Sequence, residues 1–245
     1  MFDTEGEQLF LLFNFIPDDH FGNFLVEGKN KVALDSVIQF IDDTDNPGAM
    51  VVVGETGTGK THLLRAAIRR WNDRSENGIC FHCSELIEKM AVRQEKEIDF
   101  GRLNQLLNHR MISLDGLEEL DQNELGQEMI LYFFNLFLDH GGKLLFASRI
   151  HPVSMKRLRP ELRSRLLWGN IVELSPINDQ FLGRIMKKIG LDRSIDLSDD
   201  LVNYLVLRLP RSVAAYAKAI EVLDWQSSKM SRNISIPLAK ELFQL

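Results

Sequence analysis

A glycine-rich segment with one lysine and one threonine carries the clearest chemistry of the sequence. Residues 54–61 read Gly-Glu-Thr-Gly-Thr-Gly-Lys-Thr and fit the pattern G-x-x-x-x-G-K-[ST] in full. In such a loop the glycines let backbone N–H groups face phosphate oxygens, the lysine neutralises the outer phosphates, and the threonine hydroxyl binds Mg²⁺. The sequence therefore predicts a site for ADP or ATP with Mg²⁺, formed by Gly54, Glu55, Thr56, Gly57, Thr58, Gly59, Lys60 and Thr61.

An aspartate at the end of a later apolar run is the expected second part of this site. Asp115 is predicted to hold Mg²⁺ together with Thr61. Many ATPases with this loop place a second acid directly after that aspartate to activate the attacking water, but Gly116 stands there, and Glu118 and Glu119 lie further on. Since a general base must lie within about 3 Å of the proton it removes, we expect nucleotide binding with weak hydrolysis. Whether the protein is itself an enzyme stays open.

Two periodicities place this loop in an α/β fold. Short apolar runs that are typical of buried strands alternate with segments of helical spacing. Strands are predicted at 49–53, 79–83, 111–115, 143–148 and 171–174, and helices at 31–41, 61–71, 85–95, 123–140 and 160–168. This alternation predicts a parallel sheet with helices on both faces.

The character of the sequence changes after Ser175 and Pro176. Four helices are predicted at 179–189, 198–209, 212–228 and 237–245, with no strand between them. We therefore predict three parts, which are a tail at 1–17, an α/β nucleotide-binding domain at 18–175 and a small all-helical domain at 176–245. Trp168 and Trp225 are interpreted as packing residues within their helices.

Composition excludes several classes of protein. The 245 residues are 44% hydrophobic and carry a net charge of −6, which is ordinary for a globular protein. Two cysteines provide no disulfide framework, and the apolar run near the N-terminus is too short to span a bilayer and follows acidic residues. We expect a cytoplasmic protein with no membrane partner. The negative charge also disfavours a DNA-binding transcription factor.

Six ordered motifs resemble one known family. They are Phe-Gly-Asn-Phe-Leu-Val-Glu-Gly-Lys-Asn at 21–30, the phosphate loop, Leu-Asp-Gly-Leu at 114–117, Leu-Phe-Ala-Ser at 145–148, Leu-Arg-Ser-Arg-Leu-Leu-Trp-Gly at 162–169 and Leu-Pro-Arg at 209–211. Together they resemble the ATPase core of the bacterial replication initiator DnaA over residues 18–245. That core is an AAA+ P-loop NTPase module with a helical lid. With a short tail and no helix-turn-helix domain expected after the lid, the chain is most similar to the Hda family of DnaA-related regulators, which inactivate the initiator after replication starts.

The resemblance implies roles for individual residues. Arg165 matches the arginine finger, which projects into the nucleotide site of a neighbouring subunit, so it is expected to act in trans on ATP bound to DnaA. Arg163 is a weaker candidate for the same interface. Arg211 matches the lid arginine that senses phosphate, and Ser148 matches the polar residue that reports on the γ-phosphate. Asn30 lies where the family holds adenine and ribose.

The tail contains a hexapeptide, Gln-Leu-Phe-Leu-Leu-Phe at 8–13, that looks like the motif by which proteins dock on the sliding clamp of the replicative polymerase. Gln8 would anchor through its amide while Leu11 and Phe13 fill an apolar pocket, with Leu9 in the same motif. The alternative interpretation is a segment that packs on the protein's own domain.

The resemblance therefore implies a bacterial negative regulator of replication initiation that binds ADP or ATP with Mg²⁺. It would dock on the sliding clamp, contact DNA only through that clamp, and stimulate hydrolysis of ATP bound to DnaA. An AAA+ loader or recruiting factor for another replication protein, without clamp dependence, is the alternative. A self-sufficient ATPase and a homo-oligomer both stay open.

Overall fold

A five-stranded parallel sheet organises the first part of the molecule. The computed structural model describes residues 21, 24, 28–74, 76–92, 97–176, 178–210 and 213–243. Within them the strands are β1 (Gly48–Gly54), β2 (Gly78–His82), β3 (Ala91–Val92), β4 (Glu97–Ile98), β5 (Met111–Asp115), β6 (Lys143–Ser148) and β7 (Asn170–Leu174). The main sheet has the order β2-β5-β6-β1-β7, and every pairing in it is parallel.

Helices cover both faces of this sheet. Those of the α/β part are α1 (Lys29–Asp42), α2 (Lys60–Asn72), α3 (Cys83–Met90), α4 (Phe100–Gln105), α5 (Glu124–Asp139) and α6 (Pro160–Trp168). Alternate strand residues point to opposite faces, so Val51 and Phe146 pack with α3, α5 and α6, whereas Val52 and Leu145 pack with α1 and α2. The apolar runs of the strands are therefore buried on both sides, as the sequence predicts.

The remaining helices form a separate apolar core. They are α7 (Asp179–Leu191), α8 (Asp199–Val206), α9 (Val213–Met230) and α10 (Ile236–Phe243). Side chains such as Leu182, Leu205, Ile220 and Leu238 are buried together there and not in the cores at the sheet. A helical part that follows a parallel α/β part confirms the predicted fold class.

Two local predictions are wrong. The helix expected at 85–95 begins earlier, at Cys83, and ends at Met90, because Ala91 enters a short antiparallel pair with Ile98. The helix α4 was not predicted, although Asp99 caps its first turn by accepting a hydrogen bond from the N–H of Arg102 at 3.0 Å.

Among the described residues, no helix has both the length and the apolar composition that crossing a membrane requires.

Candidate functional site

The phosphate loop lies where β1 passes into α2, at the carboxyl edge of the sheet. Gly57 and Gly59 adopt left-handed backbone angles, with φ of +85° and +96°, which side chains with a Cβ rarely adopt. A Cβ at Gly54 would lie 2.8 Å from Thr58 Oγ1 and 2.9 Å from the carbonyl oxygen of Leu174. The glycines are thus required by the shape of the loop, and the loop leads directly into the N-terminus of α2, which favours an anion.

Lys60 is buried beneath this loop at the start of α2. Its Nζ donates hydrogen bonds to the carbonyl oxygens of Gly54 at 2.7 Å and Glu55 at 2.9 Å. Burial lowers the pKa of Lys60 below its ordinary value, while the nearby carboxylates of Asp115 and Glu118 oppose this shift. The structure therefore holds a positive charge at the point where the motif predicts phosphates.

Thr61 and Asp115, the two residues predicted to hold Mg²⁺, lie in direct contact. The Thr61 hydroxyl donates to Asp115 Oδ2 at 2.5 Å, and Asp115 Oδ1 accepts from the N–H of Gly116 at 2.9 Å. A hydroxyl beside a carboxylate at the edge of the phosphate loop is a donor set that suits Mg²⁺ bound together with a nucleotide. These two residues would hold that ion.

The backbone at the position after Asp115 favours a glycine. Gly116 has a φ of +78°, and a Cβ there would lie 2.7 Å from two atoms of the His82 ring. The His82 ring is held by Ser84, whose Oγ lies 2.8 Å from Nδ1, and Glu119 lies 3.7 Å from the same nitrogen. The left-handed backbone conformation therefore accounts for the glycine at this position.

Ser148, at the end of β6, lies beside a carboxylate that the sequence did not place there. Its hydroxyl is 2.7 Å from the carbonyl oxygen of Ile150 and 3.3 Å from Glu118 Oε2. The same Glu118 carboxylate accepts hydrogen bonds from the N–H of Arg149 at 3.0 Å and from its Nε at 2.5 Å. Burial alone raises the pKa of Glu118, but the hydrogen bonds from Arg149 outweigh it, and the net pKa is below the ordinary value.

The two arginines of the Arg-Ser-Arg sequence have different environments. Arg163 turns inward, and its Nη2 donates to the carbonyl oxygens of Met155 at 2.5 Å and Leu158 at 3.1 Å. Arg165 is half-buried, and its guanidinium carbon lies 4.9 Å from the centre of the Trp168 ring. Within the described part of the chain, that ring is its one polar or aromatic partner. Arg163 therefore connects α6 to the segment that precedes it. Arg165 makes no such connection and contacts the ring of Trp168.

Both tryptophans that were interpreted as packing residues are at the surface instead. Trp168 is 77% exposed and Trp225 is 56% exposed. Trp168 lies on the last turn of α6, so its ring covers the guanidinium of Arg165 rather than the core. That interpretation was wrong because it considered the residue type without the helical face on which it lies.

Asn30 connects the first helix to the segment that precedes α7. Its Nδ2 donates to the carbonyl oxygen of Ser175 at 3.0 Å, and its Oδ1 accepts from the N–H of Ser175 at 2.7 Å. The amide thus connects α1 to the residue that follows β7. A contact of this side chain with adenine or ribose stays a prediction.

Five predicted site residues lie outside the described residues. They are Gln8, Leu9, Leu11 and Phe13 of the tail and the lid arginine, Arg211.

Two side chains near the loop escaped the reasoning from sequence. The ring of Phe24 lies against the loop at Gly59. It is so close that a Cβ added to Gly59 would be 2.7 Å from Phe24 Cε2. Arg149 belongs to none of the recognised motifs, although its position directly after a predicted strand places it at the carboxyl edge of the sheet. The position of Arg149 at the end of a predicted strand could have placed it at the site. No feature of the sequence spacing placed Phe24 there.

Two family models match the chain in consecutive segments. The model described as the bacterial DnaA ATPase domain matches residues 16–173, and the model described as the Hda lid domain matches residues 180–243. An uncharacterized protein of Haemophilus influenzae is 28% identical over 241 residues, which are 98% of this chain and 100% of that protein.

Solved structures of DnaA share the fold. Domain III of the Thermotoga maritima replication initiation protein DnaA is 19% identical, with a TM-score of 0.77 over 93% of this chain and 96% of that chain. AMPPCP-bound DnaA from Aquifex aeolicus is 22% identical, with a TM-score of 0.74 over 87% of this chain and 67% of that chain. The similarities confirm the fold that the motifs imply.

Proposed function

Because the chain belongs to the bacterial DnaA ATPase-domain family of AAA+ proteins and carries an Hda lid domain, we propose that it regulates replication initiation by acting on the initiator DnaA. It binds ADP or ATP in its own phosphate loop. It then places Arg165 against the ATP of a DnaA molecule and promotes hydrolysis there, which leaves the initiator in its ADP form. The observation that carries this proposal is the contact of the half-buried Arg165 with the exposed Trp168 ring.

The position of Arg165 supports action on a partner's nucleotide. It lies on the last turn of α6, just before β7, and Gly169 contacts β1 near its start, where a Cβ would be 2.4 Å from the carbonyl oxygen of Ala49. The phosphate loop begins at the other end of β1, at Gly54. At about 3.3 Å of rise per residue, about 16 Å of strand separates the two ends. Arg165 therefore lies toward the end of β1 that is opposite its own phosphate loop.

The chemistry of the step is charge stabilisation. A guanidinium that reaches the γ-phosphate of a partner neutralises the charge that develops on the equatorial oxygens, and such a residue contributes a factor of about 10³ to 10⁵ in rate. Arg165 is half-buried, and its guanidinium lies against the ring of the exposed Trp168, so it can reach a docked partner without unfolding of α6.

The protein's own site supports binding of a nucleotide more than its turnover. Lys60 and the loop glycines would hold the phosphates, and Thr61 with Asp115 would hold Mg²⁺, which supplies charge neutralisation between the β- and γ-phosphates. The similar DnaA structure that contains AMPPCP supports the same use of the loop here. The constrained Gly116 provides no acid to activate water, which favours slow hydrolysis in this site.

A reconstituted reaction tests the proposal. DnaA loaded with ATP, sliding clamp on DNA and this protein are mixed, and ADP formation is followed with the wild type and with Arg165→Ala. We expect Arg165→Ala to lower the stimulated rate by at least a hundredfold. Arg159→Ala is the matched control, because it removes an exposed arginine at the other end of α6 and should keep the wild-type rate. Equal stimulation by Arg165→Ala and the wild type would refute the mechanism.

A further inference from the structure

The carboxyl ends of β5 and β6 are joined by a charged pair beside the phosphate loop. Glu118 follows β5 in a 3₁₀ turn, Leu117–Gln122, and accepts two hydrogen bonds from Arg149, one from its backbone N–H and one from its Nε. The side chain of Glu118 is only 10% exposed, whereas that of Arg149 is 58% exposed. The carboxylate is therefore fixed, and the guanidinium is the member of the pair that is free to move.

The register of the sheet places this pair next to the outer phosphates. Ser148 is the last residue of β6 and pairs with Val53 of β1, the residue immediately before the loop. Arg149 therefore begins at the level of Gly54. The Glu118 carboxylate lies within 3.3 Å of the Ser148 hydroxyl. Glu118 and Arg149 both act electrostatically on Lys60, which also places them at this site.

A carboxylate in this position disfavours a further phosphate. Two like charges separated by about 6 Å repel each other by an amount that corresponds to about a threefold change in affinity in bulk water and about a hundredfold change at an effective dielectric constant of about 20, so roughly tenfold is expected at a partly exposed site. A nucleoside diphosphate keeps its charge under Lys60 and the loop amides, whereas the third phosphate of a triphosphate extends toward Ser148 and Glu118. Arg149 is the cation that can compensate this repulsion.

We propose that Glu118 and Arg149 set the preference of the loop between di- and triphosphate nucleotides. Arg149 exchanges its contact with Glu118 for the terminal phosphate of a triphosphate, and Glu118 opposes that exchange. The pair is thus a specificity determinant of the protein's own site. The inference rests on the nucleotide binding that the proposed function assumes, but it does not involve Arg165 or any partner protein.

The two members of the pair are expected to act in opposite directions. Arg149→Ala leaves the Glu118 charge uncompensated, so the affinity for AMPPCP relative to ADP should fall about tenfold. Glu118→Gln keeps the shape of the side chain and frees the guanidinium, so the same ratio should rise several-fold. The double variant should return to near the wild-type ratio, because it removes both charges.

Titration calorimetry with purified protein, Mg²⁺, ADP and AMPPCP measures this ratio. Arg149→Lys should keep most of the preference, because it retains the charge. Glu128→Gln is the matched control, since this exposed carboxylate lies on α5, away from the pair, and should leave the ratio unchanged. Thermal unfolding of each variant verifies that the fold is intact.

Two results would overturn the inference. If Arg149→Ala and Glu118→Gln change both affinities equally, or in the same direction, the pair is only a structural salt bridge. In that outcome nucleotide binding and the role of Arg165 are untouched. If the wild-type chain binds neither nucleotide, the inference falls together with the nucleotide-binding part of the proposed function.

Discussion

At the scale of single residues, helix geometry separates side chains that the motif places side by side. Arg163 and Arg165 are two positions apart, which puts them on opposite sides of α6, while Arg165 and Trp168 are three apart and share a face. The inward contacts of Arg163 and the cation–π contact of Arg165 follow this rule. The spacing along α6 was therefore enough to predict that Arg163 lies on a different face from Arg165 and that Trp168 shares the face of Arg165. The residue type of Trp168 alone had favoured a buried position.

The indole of Trp168 should orient the guanidinium of Arg165. A cation–π contact contributes about 0.5–2 kcal/mol, so Trp168→Ala should lower the DnaA-stimulated hydrolysis rate by roughly threefold to thirtyfold. Trp168→Phe retains an aromatic face and should lose less. The same reconstituted assay measures all variants, with Trp225→Ala as the control, because Trp225 is an exposed tryptophan on α9 of the lid. Identical losses for Trp168→Ala and Trp225→Ala would argue against an orienting role.

At the scale of elements, the strands were predictable and some helix ends were not. The β1, β5 and β6 runs are buried on both faces, and such runs have a signature that depends on local sequence alone. The end of α3 at Met90 depends on pairing of Ala91 with Ile98, which lies further along the chain and leaves no local signal. The small helix α4 did have a local signal in the sequence, because Asp99 caps its N-terminus, but this signal was overlooked.

The contact between α1 and α2 gives a prediction about stability. Arg70 donates hydrogen bonds to both carboxylate oxygens of Asp42, at 2.8 Å each, and Arg74 donates a further hydrogen bond to the same carboxylate. The hydrogen bond from Arg70 is the main cause of the lowered pKa of Asp42. Because the group is partly exposed, Asp42→Asn should lower the free energy of unfolding at pH 7 by no more than about 1 kcal/mol.

The sign of the pH dependence of the Asp42 contribution to stability follows from the lowered pKa of this carboxyl group. The stabilisation is fully present above the ordinary pKa of an aspartate and is lost as the pH falls through the lower pKa of the folded state. Urea unfolding between pH 7 and pH 3 should therefore show the wild type and Asp42→Asn converging toward acid. Asp35→Asn, an exposed aspartate on the same helix, is the control and should show no such difference. A constant gap across this range would contradict the assignment.

At the scale of the whole molecule, two functional features lie at different ends of the α/β part. The phosphate loop and the Glu118–Arg149 pair lie at the carboxyl edge of the sheet, and Arg165 lies on the turn that precedes β7. Motifs in the sequence indicated the phosphate loop and Arg165 but not the Glu118–Arg149 pair, and only the strand register shows that the loop and Arg165 are separated. That separation is what an activator of another molecule's ATP requires.

The tail gives a prediction about the second proposed partner, the sliding clamp. Gln8→Ala and Leu11→Ala should each weaken pull-down of the protein by clamp loaded on DNA by at least tenfold, because the amide anchor or an apolar pocket residue is removed. Leu12→Ala is the control within the same hexapeptide. Clamp binding that tolerates both changes would favour a loader or recruiting factor that works without the clamp.

Arg165 is proposed to complete the active site of another molecule. The most direct measurement is single-turnover hydrolysis of labelled ATP bound to DnaA, with this protein carrying unlabelled ADP, so that only the nucleotide on DnaA is followed. We predict rapid conversion of the label to ADP with the wild type, and conversion close to the rate of DnaA alone with Arg165→Ala. Labelled ATP that stays intact with the wild type, or disappears as fast with Arg165→Ala, would contradict the account.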